Sequence, residues 1–313
     1  MMSFAFVFPG QGSQSVGMLA SLSGLDPVVR ATFDEASAAL GYDLWQLVQE
    51  GPAERLNTTE CTQPAMLAAG IATARLWARR GGGEPAVVAG HSLGEFSALV
   101  CAGALEFSDA VSLVKFRGRV MQEAVPEGTG AMAAVLGLDD AAVEEACREA
   151  AQGSVVEPVN FNAPGQVVIA GEAAAVRRAI DAAKARGAKR AVPLAVSVPS
   201  HSTLMSSAAE RFASRLAETV VRPPRIRYIS AVDATAYSDP EQIRALLGRQ
   251  LARPVRWRDT VQAIAATGVS QVIECGPGKV LLGLNKRIEV SGLTFAALED
   301  PTSFDAALTA TKG

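Results

Sequence analysis

The sequence predicts a mixed α/β fold in which a mostly parallel sheet carries a second, smaller unit as an insert. Three observations point to it. Short apolar runs alternate with long Ala/Leu-rich helical stretches, as a parallel sheet covered on both faces requires. One such run, Ala86 to Ala89, meets "GHSLG" at 90 to 94 and then a helical pattern of Phe96, Leu99 and Val100, which reads as strand, sharp turn and helix. The middle of the chain departs from this pattern and reads strand-helix-strand-strand-helix-strand.

The elements follow in order. Phe4 to Phe8 predicts a buried strand ended by Pro9-Gly10, and Ala86 to Ala89 predicts the second. Gln271 to Glu274, stopped by Gly276-Pro277-Gly278, is the third, and Thr294 to Leu298 the fourth. In the middle, Ala131 to Leu136 predicts a strand and Asp139 to Ala151 a helix. Val155 to Phe161 and Gln166 to Ala170 predict strands around the turn Asn162-Ala163-Pro164-Gly165. Ala173 to Arg186 is a predicted helix and Ala188 to Val198 a last strand. This βαββαβ order is the ferredoxin-like signature. The expected division is a small ferredoxin-like domain over residues 127–198, inserted into a large domain of residues 1–126 plus 199–313. A cleft between the two is the natural substrate site.

Composition narrows the class of function. Of 313 residues, 49% are hydrophobic and 19% charged, as in an ordinary globular protein. A net charge of −3 gives no footing for nucleic acid. Cys61, Cys101, Cys147 and Cys275 lack CxxC or Cys/His spacing, so reduced thiols are expected, with neither a disulfide framework nor a metal site. The start, "MMSFAFVFPGQGSQ", has no basic n-region and an apolar run too short for a signal peptide or a membrane span. The expected location is the cytoplasm, with no membrane partner.

Gly-x-Ser-x-Gly between strand and helix is the nucleophile elbow, which makes the large domain α/β-hydrolase-like. Ser92 sits at its apex, where free helix N–H groups favour negative charge, and the N–H of Leu93 can face an oxyanion. A serine nucleophile needs a base, and the chain has two histidines. His91 adjoins the nucleophile on a tight turn, so its side chain is expected to point away and serve packing. His201, in "SVPSHSTLM" between an expected strand end at Pro199 and a helix after Ser202, is the expected general base. No third acid of the hydrolase pattern stands out, and no His-Gly-Gly loop precedes Ser92. The loop Pro9-Gly10-Gln11-Gly12-Ser13 could supply the second oxyanion donor.

Arg117 sets the substrate class. Taking "SDAVSLVKFRGRVMQEA" as a helix capped by Ser108 or Asp109, Ala110, Leu113, Val114, Val120 and Met121 fall within about 60° of Arg117 on the wheel. Lys115 and Arg119 fall on the opposite side. One cation is therefore aimed into the core, where it needs an anion: an internal carboxylate or a substrate carboxylate held by a bidentate guanidinium.

With these residues in view, the chain resembles the malonyl-CoA:acyl-carrier-protein transacylases of bacterial type II fatty-acid synthesis. The resemblance runs end to end through "FVFPGQGSQ" (6–14), "TQPA" (62–65), "GHSLGE" (90–95), "RG" (117–118), "NFNAPGQVVIAG" (160–171), "VPSH" (198–201), "RQL" (249–251) and "ECGPGKVL" (274–281). It implies that Ser92 is acylated, that His201 is its base, and that Gln250 orients His201 through its backbone carbonyl. It further implies an oxyanion hole from the N–H groups of Gln11 and Leu93 and a malonyl carboxylate on Arg117. Gln63 would line the site, Asn160 and Asn162 would lie near the acyl or pantetheine path, and Leu93 and Ser200 suit malonyl.

The implied reaction is a ping-pong exchange. Malonyl-CoA acylates Ser92, coenzyme A leaves, and the phosphopantetheine thiol of acyl carrier protein takes the malonyl group. No cofactor is bound permanently, and a monomer is expected. Alternatives with the same residues are a trans-acting polyketide acyltransferase and a malonate-decarboxylase subunit; a serine esterase or thioesterase would instead release free malonate. Two features invite other readings. Gly276-Pro277-Gly278-Lys279 lacks the full phosphate-loop spacing and reads as a strand-to-helix turn. The basic run Lys184, Arg186, Lys189 and Arg190 reads as a solvated helix end or, with Arg177 and Arg178, as an edge that helps dock an acidic carrier.

Overall fold

Two sheets organise the chain in the computed structural model, which describes residues 3–126, 128–196 and 198–312. The strands are β1 (Phe4–Phe8), β2 (Val87–Gly90), β3 (Gly130–Leu136), β4 (Val156–Ala163), β5 (Gln166–Glu172), β6 (Arg190–Pro193), β7 (Arg227–Ile229), β8 (Ala236–Tyr237), β9 (Gln271–Glu274) and β10 (Thr294–Ala297). The larger sheet has the order β10-β9-β1-β2-β7-β8 and the smaller β4-β5-β3-β6. The larger is parallel throughout except for the β7–β8 hairpin pair. The smaller is antiparallel throughout.

Every residue of β1, β2 and β9 is buried, because helices cover both faces of the larger sheet. Alternate side chains serve alternate cores. Phe4, Phe6 and Phe8 pack with the helices Val28–Leu40, Thr59–Arg79 and Phe107–Glu123. Ala5 and Val7 pack on the other side with Trp257, Val261 and Ile264 of the Trp257–Ala265 helix. The smaller sheet has its own core, where Ala133, Val135, Val167 and Ile169 meet the helices Asp140–Ala151 and Ala173–Ala185. Its opposite face carries Met132, Val159, Val168 and Ala170. β4 ties the units together, since Val255 N–H donates to Val159 O at 2.8 Å and Phe161 N–H donates to Val255 O at 2.8 Å.

The structure corrects several expectations. The strand predicted over Ala188 to Val198 is only β6; Pro193 ends its ladder with β3, and Leu194, Ala195 and Val196 turn away to line the cleft (residue 197 lies outside the described residues). Neither Ser108 nor Asp109 caps the Arg117 helix, which starts at Phe107 after Glu106 without a side-chain cap. β4 runs on through Ala163 with irregular register, so the predicted four-residue turn narrows to Pro164-Gly165. β7 and β8 carry too few residues to show a period and were not anticipated. The other predicted elements match to within two residues. Among the described residues, no helix is long and apolar enough to cross a membrane.

Candidate active site

The site forms at the carboxyl ends of β1 and β2, where open α/β sheets bind ligands. Their register pairs Phe8 with Gly90, and His91 N–H donates to Phe8 O at 3.0 Å, so the two following loops lie side by side. The turn after β2 admits no side chain at either glycine. A Cβ on Gly90 would stand 1.9 Å from the Gly94 carbonyl carbon, and one on Gly94 would stand 2.0 Å from Phe8 O. Between them Ser92 adopts φ 51°, a left-handed conformation rare for a non-glycine residue. The Gly94–Cys101 helix starts directly after Leu93, so the positive end of its dipole lies at Ser92, while its first N–H groups are taken by the His91, Ser92 and Leu93 carbonyls.

His201 meets Ser92 from the far side of the cleft. Its Nε2 lies 2.7 Å from Ser92 Oγ, and its Nδ1 lies 3.0 Å from Gln250 O and 3.1 Å from Arg253 O. Two carbonyls accept only, so Nδ1 carries the proton and the Nε2 lone pair faces the hydroxyl. No strand reaches Pro199 as expected. His201 sits in a loop at φ 68°, pinned by its N–H to Leu251 O at 2.9 Å, before a short 3₁₀ turn at Thr203–Met205. Burial, and then the Arg117 charge, push the imidazole down to about 3, which leaves it neutral near pH 7 with its Nε2 lone pair toward Ser92.

Arg117 is 1% exposed and points into the same cleft. Its Nη2 donates to Ser92 Oγ at 3.1 Å and to Gln250 Oε1 at 2.9 Å, and its Nη1 donates to Gln63 Oε1 at 3.0 Å. The guanidinium carbon stands 5.6 Å from the Phe96 ring centroid. Nε has no partner among the described residues. The partners of the guanidinium there are all uncharged, so no internal Asp or Glu quenches it directly. Burial lowers its pKa to about 10, which still leaves it charged at neutral pH.

A narrow cavity of about 220 Å³ opens above these groups. Gln11, Leu93, Asn160 and Ser200 all lie on its wall with Ser92, Arg117 and His201. Gln63 is buried behind Arg117 and is not on that wall. Asn162 is not on it either; its Oδ1 lies 2.9 Å from His91 Nε2. His91 packs near the Trp257 ring, at 5.6 Å between centroids, and burial lowers its pKa. A half-buried hydroxyl against a neutral imidazole, with a cation beside it that no carboxylate pairs among the described residues, can carry an acyl group that has an acid at its far end.

Comparison with known proteins gives the same answer. The family model described as "Acyl transferase domain" matches residues 5–289. The chain belongs to the acyl transferase domain family. It is 59% identical over 308 residues to the malonyl CoA-acyl carrier protein transacylase of Escherichia coli (strain K12), covering 98% of this chain and 99% of that one. Against the enzyme of that name from Bacillus subtilis (strain 168) it is 44% identical, covering 98% and 97%. Among solved structures, an acyl carrier protein S-malonyltransferase from Vibrio cholerae matches with a TM-score of 0.94 at 57% identity, covering 97% of this chain and 99% of that one. A malonyl-transacylase solved in complex with a type II PKS acyl-carrier protein matches with a TM-score of 0.96 at 56% identity, covering 98% and 99%.

Several features of this acyl transferase escape a reading of the sequence. Glu95 is wholly buried, and it accepts from Gln250 Nε2 at 2.9 Å and from the Tyr228 hydroxyl. An acid in the first turn of a helix reads as a solvated partner of the dipole, so only the identity of the motif hinted at more. Arg253 acts through its carbonyl, which leaves no signal in the side chain. On the basic edge, Arg178 donates to Ala150 O and Ala151 O at 2.8 and 3.0 Å, and Arg186 pairs with Glu149, so both serve the fold. The Gly276–Lys279 turn joins β9 to the Val280–Asn285 helix. Glu274 accepts there from Leu281 N–H at 3.1 Å and Leu282 N–H at 2.7 Å, occupying the position that a phosphate would need.

Proposed function

We propose that this acyl transferase moves a malonyl group from malonyl-CoA to the phosphopantetheine thiol of an acyl carrier protein through a malonyl-Ser92 intermediate. The observation that carries the reading is the Arg117 guanidinium, 3.1 Å from Ser92 Oγ and hydrogen-bonded among the described residues only to the uncharged Gln63, Ser92 and Gln250. The relatives named above are called transacylases of this kind, and one was solved with its carrier.

His201 Nε2 takes the Ser92 proton as Oγ attacks the thioester carbonyl. The N–H groups of Leu93 and Gln11 receive the oxyanion, each such donor lowering the barrier by about 2.7–4 kcal/mol in comparable enzymes. Collapse expels the coenzyme A sulfur, which takes the proton from His201. Once Ser92 is an ester, Arg117 Nη2 and the unspent Nε–H are left for the malonyl carboxylate. The carrier thiol then gives its proton to His201, attacks the ester carbonyl, and restores the Ser92 hydroxyl. Asn160 and Ser200 border the path of the pantetheine arm. Gln63 holds the guanidinium, and Gln250 presents its carbonyl to His201. Asn162 serves this path only indirectly, through His91.

The larger unit is read as an α/β-hydrolase-like domain of residues 1–126 plus 199–313. The smaller, over 127–198, is read as a ferredoxin-like insert. Its antiparallel order β4-β5-β3-β6, with a helix after β3 and after β5, supports that reading, as do its separate cores. A cytoplasmic setting fits the free cysteines and the carrier-borne substrate. The test is intact-mass analysis after incubation with malonyl-CoA. A malonyl adduct that persists without carrier, disappears when carrier is added, and is missing in Ser92→Ala supports the transfer; rapid release of free malonate without carrier marks a hydrolase.

A further inference from the structure

The mechanism leaves one buried ionisable group beside the site unused. Glu95, three residues after Ser92, is fully buried, and its carboxyl faces donors only: the Gln250 amide, the Tyr228 and Ser230 hydroxyls, and the Ala231 N–H. The Gln250 amide in turn divides its two ends. Its Nε2 donates to Glu95 Oε1 at 2.9 Å and to Ser92 O at 3.0 Å, while its Oε1 accepts from Arg117 Nη2 at 2.9 Å.

We propose that the Glu95 carboxylate is a positioning residue that fixes the orientation of the Gln250 amide and, through it, the Arg117 guanidinium that grips the acyl carboxylate. The reason is the donor and acceptor inventory. An ionised carboxylate only accepts and a guanidinium only donates, so an amide between them has one favourable orientation. Turned over, it would press a carbonyl against the carboxylate and an NH₂ against the guanidinium. A neutral Glu95 carries an O–H that can meet the reversed amide, so only the Ser92 carbonyl and the guanidinium are left to oppose the flip. Gln250 then anchors Nη2 beside Ser92 less firmly. The chain Glu95–Gln250–Arg117 also sets a negative charge one residue away from the buried cation, and Glu95 holds the Arg117 pKa up against burial.

The groups that govern Glu95 are few. Burial pushes its carboxyl up to about 7, opposed by the Tyr228, Gln250, Ser230 and Ala231 hydrogen bonds. Tyr228 on β7 and Arg117 on its helix are the titratable neighbours; Asp233 lies beyond Tyr228 and His201 beyond Arg117. Glu95 is therefore ionised above about pH 7 and neutral below it.

This inference rests on Arg117 holding the malonyl carboxylate, and the test separates the two. The readout is the malonyl:acetyl ratio of kcat/KM for transfer to the carrier, in which effects common to both acyl groups, including titration of His201 and of the thiol, cancel. The intact protein should show a ratio that rises with pH through the Glu95 ionisation. Glu95→Gln should lower the ratio about tenfold at high pH, the loss of one charge-assisted contact, and flatten its pH dependence. Tyr228→Phe removes a donor that favours the ionised form while keeping the ring, so the inflection should move to higher pH. An unaltered ratio and profile in Glu95→Gln would overturn the proposal. Should that variant not fold, an unmoved inflection in Tyr228→Phe would overturn it equally. Arg117→Ala is the control: if it leaves the ratio intact, the clamp itself fails, whereas loss of the ratio there with none in Glu95→Gln rejects the role of Glu95 alone.

Discussion

Replacing Arg117 by alanine removes the one buried cation beside Ser92, and the consequence for acyl selectivity follows from its contacts. Nη1 and Nη2 hold Gln63, Gln250 and Ser92 at 2.9–3.1 Å, an arrangement rigid enough to receive a carboxylate at a fixed angle. A hydrogen bond to a charged group contributes about 1.5–3 kcal/mol, so two would set an upper bound near 3–6 kcal/mol. Water entering the vacated volume recovers part of this. The net expected loss is about 1.5–3 kcal/mol, or roughly 10- to 150-fold in kcat/KM for malonyl-CoA relative to acetyl-CoA. The variant also orphans the Gln63 and Gln250 carbonyl oxygens at about 1–3 kcal/mol each, while sparing the fold a desolvated charge. Parallel kinetics with the two thioesters and a thermal melt on the same sample separate selectivity from stability. Equal loss of malonyl and acetyl transfer in a folded variant would refute the reasoning.

Other outcomes follow from the same geometry. His201→Ala should abolish acylation of Ser92 by malonyl-CoA while leaving the melting temperature close to that of the parent, read by intact mass; continued acylation at the parent rate would remove His201 as the base. Because burial and Arg117 push His201 from 6.5 down to about 3, the base is already neutral near its ordinary titration, and acetyl transfer should show no histidine inflection near 6.5 in its pH profile. Gly94→Ala would place a Cβ 2.0 Å from Phe8 O. The expected cost is about 3 kcal/mol or more, a fall of about 5 °C or more in melting temperature. Converting Lys184, Lys189 and Arg190 on the exposed edge to glutamate should raise the KM for the carrier and leave Ser92 acylation by malonyl-CoA unchanged; an unaltered KM would place docking elsewhere.

Much of this site could be read in advance, for reasons that belong to particular residues. Gly90 and Gly94 flag the elbow because no other residue fits their backbone contacts, and Ser92 follows from them. His201 emerged because the chain offers a single alternative imidazole. Arg117 showed itself through helical periodicity, since a cation on an apolar face needs an anion to meet it. Periodicity cannot report a group that acts through its backbone, such as the Arg253 carbonyl. Nor can it tell that a helix-start acid like Glu95 is sealed from water by a strand as short as β7. The early end of β6 belongs to the same class: Pro193 closes the ladder, and the apolar residues beyond it face the cleft where the sequence alone reads a continuing strand. Asn162 shares a motif with Asn160, and regular alternation would set both on one face; the register of β4 shifts between Phe161 and Ala163, and Asn162 lies against His91, off the substrate wall.

The most direct test is a crystal structure of the enzyme trapped after reaction with malonyl-CoA in the absence of carrier. The expected result is an ester on Ser92 Oγ, its carbonyl oxygen toward the N–H groups of Gln11 and Leu93, and its carboxylate within hydrogen-bond reach of Arg117. An acyl chain whose carboxylate lies in solvent, with Arg117 still bound only to Gln63 and Gln250, would contradict the account.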